Sequence, residues 1–197
     1  MKKVIHLSLT LVGALLLTSS CQNKATTDDE HTETTSATES TFQPAYESPA
    51  TFQEQVKEIW TAYVALKDAL VASNAEQASE KAVAVINALQ SADSTALSSE
   101  AKAIWRDQVQ ELSTPLNAIR NTREIAQQRA TFEMVSGELL ELVQNWGAKG
   151  ATIYKQYCPM ALDNKGAFWL SAESQIRNPY FGDEMLKCGE VQEVVRF

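Results

Sequence analysis

The chain has 197 residues, 44% of them hydrophobic, and a formal net charge of -8 at pH 7. Loss of Lys2 and Lys3 with a leader takes -8 to -10 and leaves no basic run, so nucleic acid is not expected as a partner, because phosphate neutralisation needs clustered Lys and Arg. The only histidines are His6 and His31, which lie ahead of the folded part, so the fold has neither a histidine-based zinc site nor a His-containing catalytic triad.

Residues 1–20 read as a lipoprotein signal peptide. Lys2-Lys3 form a basic start, Val4 to Leu17 is apolar apart from His6, Ser8 and Thr10, and Thr18-Ser19-Ser20 lead into Cys21. The apolar stretch is too short for a membrane span. A cysteine directly after small residues resembles a bacterial lipobox, with Thr18 standing where leucine is usual. That resemblance implies a lipid on Cys21, which would anchor the mature chain to a bacterial membrane, facing the periplasm or the cell exterior. Lipidation would also remove a free thiol from an exposed position. Residues 21–49 are rich in Thr, Ser, Glu, Asp and Gln and predict a disordered tether, because they bury too little apolar surface to offset ordering entropy. Pro44 and Pro49 mark its end, and the remaining stretch is the size of one domain.

From residue 50 to 147 the apolar residues recur at helical spacing. Phe52, Val56, Ile59/Trp60, Tyr63 and Leu70 share one face of a first helix. Ser73-Asn74 break it, and Asn74 is placed to cap a second, alanine-rich helix through Ala78, Ala82, Val85/Ile86 and Leu89. A third helix carries Leu97, Ala101, Ile104/Trp105, Val109 and Leu112, and Pro115 kinks or ends it. Asn121-Thr122-Arg123-Glu124 reads as a capping box for a fourth, with Phe132, Val135, Leu139, Leu142/Val143 and Trp146 on its face and Gly147 as its stop. Four such helices joined by short breaks predict an all-α, up-down four-helix bundle.

Residues 148–197 change character. Five of the seven glycines lie between Gly147 and Gly189 and seven of the fifteen aromatics between Tyr154 and Phe197, while helical periodicity is lost. Lys165-Gly166, Asn178-Pro179 and Phe181-Gly182 are turn signals, so this part predicts an irregular, turn-rich cap on the bundle, with room for a short hairpin. The cap holds the only cysteines beyond Cys21, each with a methionine close by: Cys158-Pro159-Met160 and Met185-Leu186-Lys187-Cys188.

Several stretches resemble an uncharacterised domain-of-unknown-function family. They are Tyr63 to Leu70, Gln128 to Phe132, Tyr157-Cys158-Pro159-Met160-Ala161, Gly166 to Ser171, Ile176 to Gly182, and Met185 to Gly189. The family occurs in Bacteroidetes-type bacteria as stand-alone lipoproteins, and as an extra domain on periplasmic adaptor subunits of copper/silver efflux pumps. The resemblance covers roughly residues 50 to 195 and implies a connection with heavy-metal handling, without an activity.

The sulfur cluster has two readings. Thiolate and thioether are soft donors that favour Cu(I) and Ag(I), so Cys158, Met160, Met185 and Cys188 are candidate ligands for buffering the ion or passing it to an efflux adaptor. Alternatively Cys158 and Cys188 form a disulfide, as an even pair in an oxidising compartment does. Closing a loop of about 30 residues stabilises a fold by about 3.6 kcal/mol in the chain-entropy model, and the methionines are then core filler. The chain would in that case be an interaction module of the envelope. Trp169 reads as a buried anchor, Arg177 as the partner of Asp183 or Glu184, and Arg120, Arg123 and Arg129 as a solvated helix face. A thiol enzyme needs a low-pKa cysteine beside a base or a resolving cysteine at C-x-x-C spacing, and neither pattern occurs, so no enzymatic activity is expected.

Overall fold

The computed structural model describes residues 38–197, so the leader, Cys21 and most of the tether lie outside the described residues. Four long helices stand where the apolar spacing puts them: α1 (Ala50–Val71), α2 (Ala75–Ser91), α3 (Ser99–Arg120) and α4 (Ile125–Trp146). Consecutive helices pack on each other and α1 closes against α4. The apolar faces meet in a core whose aromatic centre is Phe52, Trp105 and Trp146, edge to face at centroid distances of 4.9–5.8 Å.

The helix ends show which local signals were obeyed. Asn74 caps α2 by accepting from the Gln77 amide at 2.9 Å, and Gly147, at φ 76°, ends α4. Pro115 does not end α3, which runs on to Arg120 with Pro115 buried in it. The capping box at the start of α4 does not form: Glu124 is the N-cap and makes no side-chain cap bond, while the Thr122 hydroxyl takes the Glu124 amide at 3.1 Å. The turn is held instead from inside, where buried Gln128 donates to the carbonyls of Ala75 (2.9 Å) and Thr122 (3.0 Å).

The segment beyond α4 overturns the all-α expectation. With 58% of the described residues helical and 14% in a four-stranded mixed sheet, the fold is mixed α/β rather than an all-α four-helix bundle with an irregular cap. The strands are β1 (Thr38–Thr41), β2 (Thr152–Cys158), β3 (Ala167–Ser171) and β4 (Glu190–Arg196), in the order β1-β4-β2-β3. Central β2 runs antiparallel to β3 and to β4, and β1 lies parallel to β4. A register shift at Lys155/Gln156 breaks the alternation that would have marked β2 as a strand, and it turns Gln156 into the core. The Gln156 side-chain nitrogen donates there to the Glu173 carbonyl at 2.8 Å, while its Oε1 is buried without a partner among the described residues.

Part of the presumed tether belongs to the sheet. Polar β1 pairs Thr38–Thr41 with Glu193–Arg196, and the segment after it straps onto the end of α4. The Ala45 and Tyr46 amides donate to the Gln144 and Asn145 carbonyls, Tyr46 stacks on Trp146 at 5.2 Å, and Phe42 meets Phe197 edge to face. These few aromatic contacts order a stretch whose overall composition reads as coil.

At the other edge, β3 faces α1 and α4. Its outward backbone groups are taken by two tyrosine hydroxyls: Tyr63 accepts from the Leu170 amide at 3.1 Å, and Tyr180 donates to the Phe168 carbonyl at 2.6 Å. The edge is thereby closed to further strand pairing, and the sheet is fixed to the helices. Tyr63 also shares a 2.8 Å hydrogen bond with Ser136 of α4 and stacks on Phe132.

Candidate functional site

The sheet order brings the two distant cysteines together. Cys158 ends β2, β4 is the neighbour of β2, and the register sets Tyr157 beside Glu190, so the residues just before β4 meet the end of β2. The Cys158 and Cys188 sulfurs are 2.6 Å apart, both as thiols. Cys158 is fully buried and Cys188 partly so.

Three local features make this approach possible. Gly189 sits at φ +138°, and a Cβ there would lie 2.8 Å from the Tyr157 carbonyl oxygen and 2.9 Å from the Trp169 ring, so only glycine lets the chain pass this close to β2. Asn178 organises the loop that carries Cys188: its side chain donates to the Cys188 carbonyl (2.8 Å) and accepts from the Tyr180 amide (2.8 Å), while its amide donates to the Leu186 carbonyl. The β2–β3 connection turns through Leu162, Asp163 and Asn164, all at positive φ between 52° and 62°. Asp and Asn tolerate that conformation, whereas Leu is strained in it, and the Gly166 amide closes the turn on the Ala161 carbonyl at 3.0 Å.

The electrostatics suit a structural thiol. Cys188 is pushed up to about 11, first by its hydrogen bond with Cys158 and then by burial. Since the thiolate is the nucleophile, a cysteine held protonated at neutral pH is poorly reactive.

The methionines are arranged less tightly. Met160 is 47% exposed on the turn after Cys158, while Met185 is half-buried and its carbonyl accepts from the Cys188 amide at 3.0 Å. A metal bound to both sulfurs at about 2.3 Å each would hold them roughly 3.8–4.6 Å apart in tetrahedral to linear geometry. The thiols at 2.6 Å, with Cys158 fully buried, are closer than that spacing as placed. Among the described residues no three His, Cys, Asp or Glu side chains gather as a metal-holding group.

Other expected pairings differ. Trp169 is fully buried, as an anchor should be. Arg177 pairs with Asp68 of α1 at 3.1 Å, not with Asp183 or Glu184, and the buried Lys67 shares the same carboxylate at 2.8 Å. Arg129 is no solvated residue: it donates to the Pro179 carbonyl (2.9 Å), the Leu70 carbonyl (3.2 Å) and the Ser73 hydroxyl (2.9 Å). Arg123 reaches Ser79 at 2.7 Å. These arginines and Asp68 fasten the cysteine-bearing loop and the helix ends. Asn178 was legible only as a turn residue and Gly189 only as one of the clustered glycines, and nothing local marked Tyr63 as the pin for a strand edge.

Four helices carrying a small mixed sheet, with two free thiols in contact at one sheet end, define a mixed α/β domain. Residues 59–150 match the model of a family described as Protein of unknown function (DUF3347), consistent with an uncharacterised domain-of-unknown-function family. That match runs from the middle of α1 to the end of α4 and stops before β2, so the sulfur motifs lie outside it. No curated protein and no solved structure matches the chain.

Proposed function

We propose that the chain is a non-enzymatic interaction module of the bacterial envelope, held to the membrane by a lipid on Cys21, with Cys158 and Cys188 oxidised to a disulfide that staples the loop 159–187. The observation that carries this reading is the contact of the two sulfurs at 2.6 Å, with Cys158 buried. Joining them forms one S–S bond and releases two protons and two electrons, the electrons passing to a disulfide-bearing oxidant of the oxidising compartment implied by the signal peptide. The efflux-pump adaptor implied by the family resemblance is one candidate partner.

The second reading, Cu(I) or Ag(I) held by Cys158 and Cys188 with Met160 and Met185, draws on the turn that keeps Met185 beside Cys188. It requires the thiols to separate. Titration of the full mature chain with Cu(I) distinguishes the two. The module reading expects no tight uptake by the oxidised chain, and uptake by the reduced chain no better than by a Cys158→Ser/Cys188→Ser variant. Tight uptake by the reduced chain that the double variant loses, and that Met160→Leu/Met185→Leu weakens, contradicts the module reading.

A further inference from the structure

Between them α3 and α4, with Phe168 of β3, leave an open cleft of about 510 Å³ whose apolar lining is Pro115, Ala118, Met134, Gly137 and Phe168. Two of these residues are poor choices for the middle of a helix. Proline removes a backbone donor, and glycine is less favourable than alanine by about 1 kcal/mol. For Gly137 nothing inside the molecule requires it: its φ is not positive, and a Cβ built there meets nothing within 4 Å. The missing side chain leaves open space over α4 rather than relieving any contact. Met134 stands 53% exposed at its rim, the most exposed large apolar side chain among the described residues.

The charge around this floor is one-sided. Glu111, Glu133 and Glu138 line the cleft, and Glu141 lies close to Glu138. Glu138 is raised above the usual carboxylate range by burial and then by repulsion from Glu111 and Glu141. Among the described residues none of the four is in an ion pair. Of the nearby cations, Lys155 holds its ammonium 5.0 Å over the Phe168 ring, and Arg129, one turn before Glu133 on α4, is engaged by the Pro179 and Leu70 carbonyls and the Ser73 hydroxyl. An apolar trough between two helices accepts a third helix by ridge-into-groove packing, and uncompensated carboxylates select a cationic one. A second copy of this acidic chain would set like charges against each other, and so would an anionic lipid surface.

We propose that the α3–α4 cleft is a docking groove for a basic amphipathic helix of a partner protein, which seats a large apolar side chain over Gly137 and sets Lys or Arg against Glu111, Glu133 and Glu138. The proposal rests on the interaction-module reading and names the surface that module uses. The test measures fluorescence anisotropy of a labelled leucine–lysine helical peptide, with leucines at i, i+3, i+4 and i+7, binding to the full mature chain. Gly137→Leu fills the trough and should weaken binding by about tenfold or more. Met134→Lys, at an exposed position that leaves the core untouched, should weaken it comparably. Glu111→Gln/Glu138→Gln should weaken it about three- to tenfold and flatten its salt dependence. Glu76→Gln/Glu80→Gln on α2 should leave it unchanged.

The proposal is overturned if both cleft variants bind as wild type, or if the α2 control loses as much as the cleft carboxylate pair, which marks unspecific attraction to an acidic surface. It is also overturned if the chain alone sediments as a dimer that Gly137→Leu dissociates, which makes a second copy the occupant. Tight Cu(I) binding by the thiols with cleft-dependent peptide binding intact removes the staple and keeps the groove. Blocked thiols with cleft-independent peptide binding does the reverse.

Discussion

The helical half and the sheet half of this domain are held together by different kinds of order. In residues 50–147 stability is spread over a continuous apolar face, and no single polar contact decides the fold. In residues 148–197 the strands are short, and although Ile153, Trp169, Leu170 and Val195 join the same core, individual contacts add much of the order: the thiol pair, the Asn178 hub, the close approach at Gly189 and the two tyrosine hydroxyls on β3. A distributed core tolerates small changes and fails when a large volume is removed. A pinned sheet fails locally when one pin is pulled.

Trp146→Ala should show the largest loss, about 3–5 kcal/mol by denaturant unfolding, the range for removing a buried tryptophan. It also strips Tyr46 of its stacking partner and Gln108 of the 2.7 Å indole bond, so the strap should loosen with the core. Cys158→Ser/Cys188→Ser comes next, at about 3.6 kcal/mol relative to the oxidised chain. Its signature is regional: amide exchange should rise across the β2–β3 turn and the Asn178 loop, while α2 and α3 stay protected. Equal loosening of both halves would erase the contrast between them.

Gly189→Ala should lose about 2 kcal/mol, because the added methyl meets the Tyr157 carbonyl at an unfavourable φ. Tyr63→Phe should lose about 1–2 kcal/mol, leaving the Leu170 amide and Ser136 without their partner, and should raise exchange along β3 first. The smallest effect concerns pH in the reduced chain. Cys188 is raised in the folded state from its ordinary 9.0 to about 11, so folding favours its protonated form. That contribution is fully present below pH 9 and is lost as pH rises towards about 11. A reduced chain whose stability shows no decline across that window, beyond the decline of a Cys188→Ser variant, would contradict the assignment.

The same contrast explains what was legible in the sequence. Helical periodicity exposes its core every three or four residues, so Phe52, Tyr63, Phe132 and Trp146 could be read as core positions, and Asn74 and Gly147 as helix ends. The sheet was hidden because β2 carries a register shift and a buried glutamine, and because polar β1 lies in a stretch that resembles coil. Pairings across long separations, such as Arg177 with Asp68 and Tyr63 with Leu170, leave no local trace. The cysteines stood out by their rarity, yet their meeting depends on β2 and β4 being neighbours, which spacing alone does not give. Gly137 drew no attention because a glycine in a helix is informative only once the space around it is known.

The central claim is that Cys158 and Cys188 are joined in the working protein. A free-thiol count by alkylation and mass spectrometry, on the mature chain isolated from the envelope, tests it most directly. The account predicts that both thiols are blocked as isolated, that a mild reductant frees the two together, and that added Cu(I) changes neither result. Two thiols that alkylate freely as isolated, and that only copper protects, would contradict it.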